Sequence, residues 1–136
     1  MLNFGLLDGG AYVAPPFNGG MFVNGGFEDG IVGWQAYGSW TGVNDAAENP
    51  GTVANDLLFQ NFTFELGVSY EISATLLEGD AVVNFMINDA DSGIDITAGV
   101  HTFVGDGTAR STGIFVHTAG TTLLRVDDLK LNKGIK

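Results

Sequence analysis

The sequence predicts an all-β protein, a jelly-roll β-sandwich carrying an N-terminal extended arm. Short runs alternate apolar and polar residues at period two, the pattern of half-buried strands. Clusters of Gly, Asp, Asn and Ser separate these runs, and no window of helical length sustains a 3.6-residue apolar period. At 136 residues the chain suits one domain, which at this size buries roughly two-thirds of the surface its unfolded chain exposes. It has no cysteine, so neither disulfides nor a zinc–thiolate staple hold the core together.

Residues 1–20 are read as the arm and residues 21–136 as the sandwich domain. Glycine pairs at 9–10 and 19–20 and the prolines at 15–16 forbid a long helix. Yet Phe4, Leu6, Leu7, Tyr12, Val13 and Phe17 are too apolar for a solvated tail. Two arrangements would bury them: a first strand and covering loop on the chain's own domain, or an arm gripping another subunit, with these six side chains as the partner-binding set.

Leu58, Gln60, Phe62, Phe64 and Leu66 share one face of the next run, with Asn61, Thr63 and Glu65 opposite. Tyr70, Ile72, Ala74 and Leu76 then alternate against Glu71, Ser73 and Thr75, and Val83, Phe85 and Ile87 repeat the pattern. Val82 and Met86 make that last strand apolar on its second face too, as expected of a central strand. Further runs occupy residues 94–98, 100–104, 113–118 and 123–131, with turn chemistry at Glu78–Asp80, Asp91–Gly93, Gly105–Gly107 and Ala119–Gly120. Asp89, Asp91, Gly93 and Asp95 have the alternation of a calcium loop. Glycine comes one position early and the closing glutamate is missing, so a hairpin turn is expected instead.

The net charge is −11, and all five basic residues fall in the last 27 positions. A phosphate backbone needs Lys and Arg, so no nucleic-acid partner is expected, and an anionic membrane is disfavoured likewise. No apolar stretch approaches the roughly 20 residues of a membrane-spanning helix. The composition suits a hard cation, a neutral ligand such as a glycan, or a basic protein. His101 and His117 lack any spacing to Ser, Asp or Glu that would make a general base, so no catalytic residue is assigned and no enzyme is expected.

Three pieces of sequence carry a resemblance. Asn24 to Glu28 is followed by Trp34; Leu58, Phe59 and Gln60 lead through Leu66, Gly67 and Ser69 to Tyr70–Ser73; and Val126 to Leu131 holds a pair of aspartates before an alternating strand end. In this order they resemble the family 4 and 9 carbohydrate-binding modules, galactose-binding-like jelly rolls, over about residues 21 to 132. The resemblance implies that the first and last strands lie side by side. It also implies a structural calcium between them, held by Glu28, Asp127, Asp128 and backbone oxygen near Gly26, no other cofactor being required. Against it stands an arrangement in which Glu28 caps backbone amides and the aspartates are solvated or paired with Arg125 or Lys130. Trp34 matches the family's core tryptophan. Tyr37 and Trp40 are the carbohydrate-binding candidates, unless core or interface packing takes them.

The expected function is structural: a virion subunit, a capsid decoration (cement) protein of a tailed bacteriophage, binding the particle through the arm and sandwich base. Its partners would be the major capsid protein and its own copies, as a trimer. Residues 1–20 lack the basic start and unbroken apolar run of a signal peptide, which fits synthesis in a host cytoplasm and a place on the virion surface. The alternative is a carbohydrate-binding module recognising a polysaccharide or host-surface glycan.

Overall fold

In the computed structural model, which describes residues 19–134, ten strands follow one another. They are β1 (Gln35–Tyr37), β2 (Thr41–Val43), β3 (Ala46–Asn49), β4 (Leu57–Thr63), β5 (Ser69–Glu78), β6 (Val82–Ile87), β7 (Ala90–Asp95), β8 (His101–Val104), β9 (Ala109–Thr118) and β10 (Leu124–Lys133). Two five-stranded antiparallel sheets result, a front sheet ordered β1-β4-β9-β6-β7 and a back sheet ordered β2-β3-β10-β5-β8. The architecture is a jelly-roll β-sandwich. The arm residues Phe4, Leu6, Leu7, Tyr12, Val13 and Phe17 lie outside the described residues.

Turn chemistry fixes the local pairings. Asn44–Asp45 joins β2 to β3 and Asn88–Asp89 joins β6 to β7, all four residues having φ between 50 and 67°. That is the two-residue turn whose twist matches paired strands, and Asn and Asp tolerate its left-handed backbone. The reversal therefore falls at Asn88–Asp89, and Asp91–Gly93, expected as a turn, lies instead within β7, because the left-handed pair turns the chain earlier.

Alternation then builds the core. Leu58, Val83, Phe85, Ile114 and Val116 from the front sheet meet Ala47, Tyr70, Ile72, Leu124, Val126, Leu129 and Leu131 from the back sheet, all fully or nearly fully buried. Phe64 lies 4.6 Å from Tyr70 and 5.1 Å from Phe103, ring centre to ring centre, which binds one end of the sandwich together. Tyr70 is buried, and its hydroxyl accepts a hydrogen bond from Glu65 N at 2.9 Å.

Two strand boundaries differ from expectation. Leu66 does not continue the inward face of β4: it is 78% exposed, because Val68 N donates to Glu65 O and Gly67 N to Gly105 O, turning the chain before it can alternate further. The run 94–98 divides between the end of β7 and a 3-10 turn, Ile96–Ala98, capped by the Asp95 side chain accepting from Thr97 N. Among the described residues no helix is long and apolar enough to cross a membrane.

Candidate functional site

The first candidate is the acidic seam. Residues 19–25 run beside β10, with Met21 N donating to Leu131 O at 2.7 Å, Leu131 N to Gly19 O at 3.0 Å and Leu129 N to Gly25 O at 2.9 Å. Gly25 allows this approach, since a Cβ there would collide with Leu129 O. On the other side of the segment, Gln60 clamps Val23: Val23 N donates to its Oε1 at 3.1 Å and its Nε2 donates to Val23 O at 2.7 Å. The first and last segments thus meet.

The motif around Asn24 is structural. Asn24 donates from Nδ2 to Gly30 O and Val32 O, both at 3.0 Å, and accepts from Asp29 N at 3.2 Å, so one side chain holds the loop that follows it. Trp34 Nε1 donates to Asn24 O at 2.9 Å, and its ring packs on Phe22 at 4.8 Å and Phe27 at 5.4 Å. Trp34 is core, as the resemblance implies.

The seam brings Glu28, Asp127 and Asp128 close enough to feel one another's charge, beside the buried Gly26 turn. The β2–β3 hairpin adds Asp45, which no motif in the chain singles out. Burial, opposed by a hydrogen bond from Asp128 N and reinforced by the Asp128, Glu28 and Asp45 charges, pushes the Asp127 carboxyl up to about 6. Burial and Glu28 push Asp128 up as well. Arg125 does not neutralise them. Its Nε lies 3.1 Å from Glu48 Oε2, an ion pair without hydrogen-bond alignment, and its Nη1 lies 3.3 Å from Glu78 Oε2. Among the described residues no three His, Asp or Glu side chains are arranged to hold a metal ion. The seam is a set of mutually repelling carboxylates.

The second candidate divides in two. Tyr37 on β1 is 70% exposed, its ring available to a ligand. Trp40 is only 5% exposed and belongs to the core cluster, so it offers no face for stacking. Between Tyr37 at the end of β1 and Thr41 at the start of β2 the chain crosses from front sheet to back, and that crossing carries Trp40 inward.

A third location emerges from the sheet registers. On the outer side of the front sheet, Tyr37, Leu57, Phe115, Asn84 and Asp95 form one row across all five strands, and Gln35, Phe59, Gly113, Met86 and Asp91 form the next. Leu57, Phe59 and Phe115 are half-buried and Met86 is buried, yet none belongs to the core between the sheets. The back sheet's outer side is different in kind: Glu48, Arg125, Glu78, Glu71, Ser73, Thr75, Thr102 and Lys130 make it a solvated face.

Polar groups border the apolar strip of the front sheet. Asp91 accepts from Asn84 Nδ2 at 2.8 Å and from Gly93 N at 2.8 Å, and its Oδ2 lies 2.6 Å from His117 Nδ1. Burial pushes the Asp91 carboxyl up, but the hydrogen bonds from Gly93, Asn84 and His117 outweigh it and hold it below its ordinary value. The carboxylate can only accept, so Nδ1 carries the proton and Nε2 of the 52% exposed His117 is left for another partner. Sequence alternation contains a signal for this face in Met86, which period places on a second apolar face of its strand, but nothing local to it says whether that face meets protein or solvent.

Together these features define a two-sheet sandwich with one solvated outer face and one partly apolar outer face edged by hydrogen-bonding groups. No family model matches the chain, and no curated protein matches it. A solved structure described as "CBM4 structure and function" is similar to it at a TM-score of 0.46 and 15% identity, over 83% of this chain and 99% of that one. That likeness lies in the course of the chain and carries nothing about a ligand.

Proposed function

We propose that the protein is a non-catalytic carbohydrate-binding module that holds a neutral glycan on the outer face of its front sheet. One observation carries the reading: an apolar strip of the half-buried Leu57, Phe59 and Phe115 crosses the sheet between an exposed Tyr37 and the Asn84–Asp91–His117 cluster. Sugars present C–H-bearing apolar faces and hydroxyl-bearing edges, and ligand sites pair apolar walls with a few placed polar groups. Five strands span about 19 Å at roughly 4.8 Å per spacing, room for an extended run of several sugar rings. Asp91 and Asp95 are the charged groups in the two rows, so a polyanionic glycan would be repelled.

A role as a capsid decoration protein would rest on the arm, of which residues 1–18 lie outside the described residues, and the sandwich itself adds no observation in its favour. Affinity electrophoresis through neutral polysaccharides tests the sheet-face reading. Tyr37→Ala and Phe115→Ala should each weaken retardation about tenfold, equivalent to about 1.4 kcal/mol, with an unchanged melting point for Tyr37→Ala. Equal retardation of both variants and the parent would contradict it.

A further inference from the structure

A second concavity lies at the rim of the back sheet, a cavity of about 310 Å³ lined by Ser39, Thr41, Glu48, Asn49, Pro50 and Leu123. The geometry points to a seat for one terminal neutral sugar residue, distinct from the sheet face; the inference takes its ligand class from the carbohydrate-binding reading.

Size limits the occupant first. Ligand pockets run from roughly 300 to 1,000 Å³, and a cavity at the lower bound fits one ring rather than a chain. Its walls are of two kinds. Pro50 and the exposed Leu123 are apolar, while Ser39 and Thr41 bring hydroxyls with no side-chain partner among the described residues. Glu48 pairs with Thr41 across β2 and β3 and supplies acceptor oxygen, its charge matched by Arg125 Nε at 3.1 Å. The balance favours a neutral ligand with both donors and acceptors.

The cavity is also held in shape from beneath. The buried Asp56 carboxylate accepts from Ser39 N at 3.1 Å and from Asn49 Nδ2 at 2.9 Å, and Asn49 Oδ1 accepts from Gly51 N at 2.8 Å. Gly38 makes room for that carboxylate, since a Cβ there would run into it. Ser39 and Asn49 are therefore positioned before any ligand arrives, which reduces the ordering cost of binding. Only Gly38 separates Ser39 from Tyr37, a Cα-to-Cα reach of at most about 7 Å. A glycan lying over Tyr37 on the front sheet can thus place its end residue over the rim.

The test is a ¹H–¹⁵N NMR titration with methyl pyranosides of neutral sugars, with glycerol as a polyol lacking a ring, and with a neutral tetrasaccharide. Methyl pyranosides should shift the Ser39, Thr41, Asn49 and Leu123 amides, glycerol should not, and Thr41→Val should weaken the response about threefold to tenfold while leaving the rest of the spectrum in place. Rim amides silent to every methyl pyranoside, or shifted equally by glycerol, overturn the inference. If the tetrasaccharide still shifts Tyr37 and Phe115 in that case, the sheet-face reading survives alone; if no sugar shifts any amide, both fall.

Discussion

At the residue scale, the side chains that the motif emphasised turn out to build the scaffold. Gln60 occupies an inward position where alternation calls for an apolar residue, and it satisfies both backbone groups of Val23 from there. Gln60→Leu would leave those groups without their partner at a part-buried place, at a cost of about 1 kcal/mol. Chemical denaturation should show that loss in the midpoint, and a Gln60→Leu variant as stable as the parent would remove the clamp from the account. Asn24, Trp34 and Tyr70 were legible in the sequence because each acts over a short spacing, whereas Gln60 was legible only as part of the motif, its partner Val23 lying 37 residues away. Trp40 was not. Whether an aromatic in a crossing loop turns inward depends on the two sheets it passes between, which no local pattern records.

At the scale of elements, the seam between residues 19–25 and β10 is both close-packed and electrostatically loaded. Gly25→Ala would force a Cβ against Leu129 O, and overpacking of this kind typically costs about 1–3 kcal/mol. A lower melting temperature with a retained β spectrum is the expected result. The carboxylates give the seam a pH dependence whose sign follows from Asp127. Its carboxyl titrates at about 6 in the fold against an ordinary 3.8, so the folded chain binds that proton more tightly than the unfolded chain. The contribution is fully present below 3.8 and is lost as pH rises through 6.

Partial exposure of Asp127 tempers the size of this effect but not its direction. Asp80 acts at the other end of the scale: hydrogen bonds from Thr121 and Thr122 lower it to about 2, so its contribution is lost as the pH falls from 3.8 toward 2. Melting temperature should therefore rise between pH 7 and about pH 5 and fall again in stronger acid. Asp127→Asn should flatten the rise. A variant that keeps the full rise would move its origin elsewhere. The sequence brought Glu28, Asp127 and Asp128 together through the expected meeting of first and last segments, but Asp45 enters from a hairpin whose placement only the folded sheet determines.

At the scale of the whole molecule, the two sheets divide the labour between support and recognition. Period-two patterning was enough to expect a β-sandwich, because alternation and turn residues act within each strand and its hairpin. It was not enough to find the front-sheet face. Leu57 and Phe59 on β4, Met86 on β6 and Phe115 on β9 lie on strands far apart in sequence and become neighbours only through the β4–β9 and β9–β6 registers. Nor does alternation distinguish an apolar outer face from a second buried one: Met86 marks β6 as an interior strand, which it is, between β9 and β7, but not which face its side chain serves.

The central claim is that the front-sheet face binds a neutral glycan, and transferred-saturation NMR with a ¹H–¹⁵N map of the same complex tests it most directly. Neutral oligosaccharides should receive saturation from the protein and shift the amides of Tyr37, Leu57, Phe59, Phe115 and His117, leaving Ser73, Thr75 and Thr102 of the back sheet unmoved. Shifts confined to the back sheet's outer face, or no transfer to any neutral oligosaccharide, would contradict it.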